Sequence, residues 1–564
     1  MKLIVGLDFG TSTTVVRYKL EGENRVYELK EGTGITSVIP TAILKLKTGE
    51  MTYYGSDAVN NRASYPDDPW FSNFKMMLLS KDETVRIKGE ELIIEFLSHI
   101  NKLFKEQTEN LSYDCLDVRV SYPAKWSDAS IKFMKRAIEK AGFGTNITGV
   151  PEPIAASYNM LHNHNKVFEA NGLLQTNKPV RVFMLDMGAG TTDIEIFKLT
   201  YSDSLGISIT ESLSYPTVDN KKLCGGHEID EILSTYINKC AKDAGFNGNE
   251  SIFTAHAAKQ WKDANLSKGL KNNYIVPVPG DIGMILKYSG ISDYKYVVES
   301  MSLTRDKFEE LTAKHWRNLY QLIKESIIEY KKLYKVGEED IDALFLTGGH
   351  SCWYVVPCLF KGESLSEKVG LSNKLTFTKL LAKPERMFLD SLPHECVANG
   401  LCLYNERVKL NNKLTIVSVE SVVTNNVWIS VSLNEKESAP IQIFRKGQPT
   451  RENGKHATYH FKKSLNIVKD FAFGNQKFNL SVTFFSGDSS ADTAEKRVYH
   501  FAIEDKSKWK YFLRSILGLN SSWDFDFSIK FQVMDNGEIC FSGICYMNHD
   551  KDKTVKFTEK DFNL

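Results

Sequence analysis

Apolar residues recur along this chain with two different periods, and the change between them falls just past residue 405. Before it, runs such as "LIVGLDF", "VVRYKL", "CLDVRVSYP", "RVFMLDM" and "IDALFLTGG" read as strands. Between them, "SIKFMKRAIEKAGF", "EIDEILSTYINKCAKDAG" and "RDKFEELTAKHWRNLYQLIKESIIEYKKL" carry apolar residues at helical spacing. This pattern predicts an α/β region over 1–405. From Leu414 onward, "LTIVSVESVV", "VWISVSLNE", "APIQIFRKG", "FNLSVTFFSG", "FDFSIKFQVMDNGEICFSG" and "TVKFTE" alternate with period 2 between Gly, Asn and Asp turns. Asn536-Gly537 is a hairpin signal, because both residues accept positive φ. The pattern predicts an all-β, sandwich-like unit over 414–564. The polar stretch Tyr404 to Lys413 is the expected junction, with 406–413 as a linker.

A chain of 564 residues is too long for one hydrophobic core, so three or four compact parts are expected. With 71 basic against 70 acidic side chains the net charge is +1, which removes the electrostatic case for a nucleic-acid or membrane-surface binder. The nine cysteines include no Cys-x-x-Cys pair and read as buried free thiols. "MKLIVGLDFG" resembles neither a signal peptide nor a membrane span, and no apolar run of about 18 residues occurs elsewhere. A reducing cytoplasm is the expected location.

One short motif occurs twice. Leu7-Asp8-Phe9-Gly10-Thr11-Ser12-Thr13-Thr14 aligned with Leu185-Asp186-Met187-Gly188-Ala189-Gly190-Thr191-Thr192 matches at five of eight positions, 178 residues apart. In both copies an apolar strand delivers an aspartate into a glycine-containing turn. Such a turn presents backbone N–H groups and Thr or Ser hydroxyls to phosphate oxygens, with the carboxylate facing the same space. An anion and a carboxylate repel unless a cation lies between them, so the motif implies phosphate plus Mg²⁺ held mainly through water. Two facing copies would clamp a polyphosphate. A Walker P-loop is excluded, because no Gly-x-x-x-x-Gly-Lys-Ser/Thr occurs.

With these loops, further segments resemble the DnaK-type heat-shock protein 70 chaperones of the actin-like ATPase superfamily. "PWFSNFKMML" is similar to the segment that carries that family's catalytic lysine, here Lys75. "VRVSYPAKWSDASIKFMKRAIEKAGF" and "GVPEPIAASYNM" resemble its proline switch and connecting helix, at Pro123 and Glu152. "KKLCGGHEIDEIL" resembles its glycine pair, at Gly225 and Gly226, and "ALFLTGGHSCWYVVPCLF" its adenosine loop, at Gly348 and Gly349. "LPHECVANG" looks like the segment that closes the fold. The resemblance spans 1 to about 405 and implies an actin-like duplicated fold, with lobe I at about 1–178 plus 375–405 and lobe II at about 179–374. It implies Mg²⁺-dependent hydrolysis of ATP to ADP. Asp8 and Asp186 would hold the cation through water, with Glu152 and Asp193 fixing its remaining waters. Lys75 would face the γ-phosphate, and Thr11, Ser12, Thr13, Thr191 and Thr192 would line the phosphates. Each residue also has an ordinary reading: Lys75 as a solvated lysine, Glu152 as a turn residue, Pro123 as a strand terminator.

The chain departs from the family in several places. Ala189 stands where the second loop usually has glycine. His350 and Cys352 replace a small hydroxyl residue and an adenine-stacking arginine, and His394 replaces an acidic residue before Glu395. Trp353 or His350 could stack on a base instead, or Trp353 could belong to the core. "KQWKDANLSKGLKNN" lacks the usual adenine-pinning pattern, leaving Asn265 and Lys268 as candidates. In the C-terminal half, "PIQIFRKGQPT", "VTFFSGD" and "DFSIKFQVMDNGEICFSG" resemble successive strands of the family's peptide-binding β-sandwich. The last strand run ends at the chain terminus, so no helical lid is expected. The linker is more basic and polar than the family's, which puts its coupling role in question.

The resemblance thus implies a lidless ATP-dependent chaperone for unfolded or extended polypeptide, with a J-domain cochaperone and a nucleotide-exchange factor as partners and neither nucleic acid nor membrane. The alternative is an actin-fold ATPase used as a nucleotide-gated regulatory or assembly module with one dedicated partner. A sugar or acyl kinase of the same superfamily shares the loops but has no use for the β-sandwich.

Overall fold

The computed structural model describes residues 1–32, 37–49, 51–62, 64–78, 80, 82–123, 126, 128–204, 206–215, 224–248, 251–361, 363, 365, 367–371, 375, 377–389, 392–410, 413–419, 426–434, 436–437, 439–445, 448–452, 455–469, 476–486, 495–505, 519, 521–533, 538–547 and 550–563. These form two compact units: Met1–Ser208 with Ser214–Ser418, and Val419–Leu564 with Ile209–Leu213.

The first unit is built from one arrangement used twice. β1 (Lys2–Phe9) pairs antiparallel with β2 (Thr13–Leu20) and parallel with β3 (Cys115–Tyr122), which pairs parallel with β4 (Ile147–Pro151). β5 (Val180–Met187) pairs antiparallel with β6 (Thr192–Ser202) and parallel with β7 (Ala343–Thr347), which pairs parallel with β8 (Met387–Leu389). In each set the first strand is apolar on both faces, as a strand covered on both sides must be; Leu3, Ile4, Val5 and Leu7 are all buried. Consequently each aspartate reaches the end of a rigid central strand, Asp8 opposite Val15 and Asp186 opposite Asp193.

The helices of this unit include α1 (Glu152–Asn163), α2 (Gly226–Asp243), α3 (Ala313–Tyr334) and α4 (Cys396–Leu403). α4 returns to the first sheet: a Cβ on Gly6 of β1 would collide with Ala398, and one on Gly400 with Ala155 of α1. Arg119 of β3 holds this return in place, its guanidinium donating to the carbonyls of Leu401 (3.1 Å), Cys402 (3.3 Å) and Tyr404 (2.7 Å) at the helix end.

Three expected boundaries move. Met387–Leu389 pairs with β7, so this part of 375–405 belongs to the second sheet and not to lobe I. Val408–Leu410, inside the stretch expected as a linker, forms a ladder with Lys413–Thr415. The first unit accordingly runs on to Ser418 and includes residues expected to open the β unit. A short period-2 run has the same appearance whichever sheet it joins, which is why the pattern misassigned it.

In the second unit, β9 (Val427–Leu433) pairs with β10 (Ile441–Phe444) and with β12 (Gln476–Ser486), which pairs with β13 (Glu495–Asp505). A second sheet runs β11 (Thr458–Lys469), β14 (Ser521–Val533), β15 (Glu538–Met547), β16 (Asp550–Asn563), all antiparallel. Alternate residues of both sheets meet in one core, including Val431, Phe478, Phe484, Trp523, Phe525 and Phe541. The C-terminal part is therefore β-rich, with two antiparallel sheets sharing one apolar layer. The Asn536-Gly537 turn lies outside the described residues. Among the described residues no helix is long and apolar enough to cross a membrane.

Candidate nucleotide site

The two loops close with the same hydrogen bond: Gly10 N–H donates to Thr13 O and Gly188 N–H to Thr191 O, each at 3.0 Å. They face one another, so that a Cβ on Gly190 would lie 3.5 Å from Thr11 Cγ2. Between them opens a cleft of about 1030 Å³. Asp8, Gly10, Thr11, Ser12 and Thr13 line it from the first loop, and Asp186, Gly188, Ala189, Gly190, Thr191, Thr192 and Asp193 from the second. The Thr192 hydroxyl is already engaged, donating to Cys224 O at 2.6 Å. Ala189 has no positive φ, so its Cβ is accommodated without strain, and its carbonyl accepts from His227 N–H at 2.8 Å.

Lys75 sits in the short helix Phe74–Met77 and points inward, 5 % exposed. Its ammonium donates to Phe9 O at 2.6 Å, lies 3.5 Å from Glu152 Oε1 and 5.0 Å from the Trp126 ring centre. The solvated-lysine reading therefore fails on burial. Pro123 follows the end of β3 and lines the same cleft.

Asp8, Glu152 and Asp186 all feel the charge of this ammonium. Burial raises Asp8, opposed by a 2.6 Å hydrogen bond from Ser121 and by Lys75. Burial also pushes Glu152 up to about 7, with Asp8 and Asp193 adding to the rise and Lys75 opposing it. Asp186 is held well above the usual carboxylate range by burial and then by Glu152, Asp193 and Asp8. Clustered acids that disfavour one another's ionisation are relieved by a cation. Among the described residues no three His, Cys or acidic side chains converge closely enough to hold a metal directly. A hard cation bound through water fits this donor set.

Two glycine turns buttress the second loop. Gly225 caps α2, and a Cβ there would come within 2.6 Å of Gly190 C. Gly348 adopts φ +79°, and its Cβ would come within 2.6 Å of Met187 C. Gly226, Gly348, Gly349, His350 and Cys352 line the cleft, whereas Gly225 supports it from behind.

The far wall differs most from expectation. Trp353 stacks on Phe308 (ring centres 5.0 Å apart) and His350 on Trp316 (5.7 Å), so both rings have one face already covered. Asn265 lines a separate cavity beside Trp261 and Val276, and Lys268 is not among the residues lining the main cleft. Lys259, Lys262, Ser267 and Asp230 line it instead. The cause is a π-helical turn at Lys262–Leu266 between the helices Ala255–Trp261 and Ser267–Lys271. One extra residue per turn rotates the helix face, and no residue pattern in "KQWKDANLSKGL" signals it. Lys262 Nζ pairs with Asp230 Oδ1 at 2.6 Å and donates to Gly226 O at 3.0 Å. Asp230 had a legible signal, since it stands one helical turn beyond Gly226.

A model of the Hsp70 protein family matches residues 73–357, just over half of the chain. The chain belongs to the Hsp70 protein family. Among curated proteins, the chaperone protein DnaK of Thermotoga neapolitana is 26% identical over 352 residues, 62% of this chain and 53% of that protein. The DnaK proteins of Thermotoga petrophila and Thermotoga maritima are 25% identical over the same shares. The chain spans about half the length of the curated relatives it matches. The Hsp70 match begins just before Lys75 and ends beyond the Gly348 turn, so it covers Glu152, Asp186 and the second loop. The first loop precedes it, and its relation to the Hsp70 site rests on the shared turn geometry.

Proposed function

We propose that this Hsp70-family chain is an ATP-hydrolysing chaperone, in which an actin-like ATPase unit regulates how the C-terminal β unit binds extended polypeptide. The observation that carries this reading is the pair of identically closed loops facing each other across a cleft in which buried Lys75 stands with Asp8, Glu152, Asp186 and Asp193. Loop N–H groups and the Thr11, Ser12 and Thr191 hydroxyls bind and orient the phosphates. Asp8, Asp186, Glu152 and Asp193 would hold Mg²⁺ through water, and the bound cation would neutralise charge on the phosphates. Lys75, fixed by Phe9 O, stabilises charge at the terminal phosphate and orients the attacking water; phosphoryl transfer asks a protein chiefly for such positioning and charge stabilisation. The β unit supports a peptide-binding role because a sandwich edge offers backbone hydrogen bonds and apolar pockets. A J-domain cochaperone, a nucleotide-exchange factor and a cytoplasmic location complete the proposal.

The test is release of a labelled apolar heptapeptide from the full chain in ATP and in ADP, with Lys75→Ala alongside. Faster release in ATP, together with ATP turnover that Lys75→Ala abolishes without loss of ATP binding, supports the proposal. Unchanged turnover in Lys75→Ala removes this residue from the site. Intact hydrolysis with no peptide binding in either nucleotide would favour a module serving one dedicated partner.

A further inference from the structure

Three residues outside the proposed hydrolytic machinery form a chain that ends at the cleft. Glu228 lies in the first turn of α2, with its side chain about one-third exposed. Its carboxylate is 2.6 Å from His315 Nδ1, in the first turn of α3, and His315 is fully buried. His315 Nε2 is 3.3 Å from His350 Nε2. The second nitrogen of His350, Nδ1, has no hydrogen-bond partner among the described residues, and His350 is 4 % exposed and lines the cleft.

The tautomers follow from the network. A carboxylate only accepts, so His315 presents an Nδ1–H to Glu228, and when it carries that proton alone its Nε2 is an acceptor. His350 must then donate through Nε2–H, which leaves a bare lone pair on Nδ1. The ring cannot turn away freely, because it stacks on Trp316 at an interplanar angle of 11°. Burial and the neighbouring Lys262 ammonium hold His350 well below the usual imidazole range, which keeps it neutral. Beside Nδ1 the wall is left open by Gly226, where a Cβ would sit 3.3 Å from Nδ1 and 3.1 Å from Lys262 Nζ.

We propose that His350 Nδ1 is a specificity-determining acceptor that reads an N–H or O–H donor on the nucleoside part of the ligand, with its tautomer set by Glu228 through His315. The inference rests on the nucleotide-site reading above. The donor chemistry is common to the 6-amino group of adenine and to a ribose hydroxyl. A 6-oxo purine would bring a second acceptor to a buried acceptor, leaving both unsatisfied. Glu228 and His315 are positioning residues; they act only through the proton arrangement.

The experiment measures calorimetric affinities of the full chain at pH 8, where imidazoles are ordinarily neutral. The probes are ATP, inosine triphosphate, 2′-deoxy-ATP and 3′-deoxy-ATP, for the wild type, His350→Phe and Glu228→Ala. In the wild type, the analogue lacking the donor that is read should bind about 5- to 150-fold more weakly than ATP, the cost of a buried polar group left unpaired. Inosine triphosphate as that analogue identifies the base amine, and a deoxynucleotide identifies the sugar. His350→Phe, which preserves the stack on Trp316, should abolish this discrimination, and Glu228→Ala should reduce it although Glu228 lies two side chains away. A purely structural role would weaken all four nucleotides equally and overturn the proposal, as would discrimination that survives in His350→Phe. Failure of the wild type to bind ATP at all would overturn the nucleotide reading and this inference with it.

Discussion

Replacing Glu152 by glutamine should make the ligand-free chain more stable at pH 8 and leave it nearly unchanged at pH 4.5. The side chain is 15 % exposed and surrounded by Asp8 and Asp193, with Lys75 as its only opposing charge in that shift. Its acidity in the folded chain falls from an ordinary value of 4.5 to about 7, a difference worth about 3 kcal/mol at ~1.4 kcal/mol per pH unit. The sign is fixed by which state holds the proton more tightly. Because the folded state does, folding stability from this group is fully present below about 4.5, declines between about 4.5 and about 7, and is absent above. Glutamine stands in for the protonated acid at every pH, so the variant escapes the decline. Urea unfolding of wild type and Glu152→Gln from pH 4.5 to 8.5 reads the difference directly, with an expected gain approaching ~3 kcal/mol at the upper end. A stability difference that does not grow with pH, or a variant less stable than wild type at pH 8, would refute the reasoning. Either result would mean that Lys75 compensates Glu152 fully and that the carboxylates are not crowded in the ligand-free cleft.

Two further outcomes test the framework around the site. Gly225→Ala forces a methyl group into the backbone at Gly190 and should weaken ATP binding about 5- to 150-fold, the affinity equivalent of the ~1–3 kcal/mol of an overpacked contact; unchanged calorimetric affinity would mean the second loop yields at no cost. Trp523→Ala removes a fully buried ring that packs 5.2 Å from Phe478 and should destabilise the second unit by ~3–5 kcal/mol in urea unfolding, and a shift below ~1 kcal/mol would mean the two sheets do not share that core.

The site was legible where chemistry demands particular residues at particular spacings. A tight turn closed by a Gly N–H favours glycine and small hydroxyl residues, so the duplicated motif announced both loops. Lys75 and Glu152 were readable only through their flanking segments, because a lone lysine or glutamate says nothing of burial. The far wall was illegible for a different reason: the π turn at Lys262–Leu266 changes which residues face the cleft without changing composition or apolar period. His350 was visible as a departure, but its pairing with His315 and Glu228 joins three distant parts of the chain, which no local pattern encodes. The boundary between the units was displaced because Lys413–Thr415 is a good strand in any sheet.

The clasp between Arg119 and the end of α4 bears on how the chain is made. β1 receives its last cover late, since the helix that seals Gly6 ends at Leu403, and Arg119 waits for carbonyls about 282 residues further on. Lys19 waits longer still, for Glu406, 387 residues downstream. At about 5–20 residues per second, translation alone leaves the face of β1 and β2 that α4 covers open for some tens of seconds. A family member of this architecture is therefore itself a demanding passenger of the cell's folding machinery, and lesions in residues 396–406 should appear first as insoluble nascent product, before any catalytic defect can be measured.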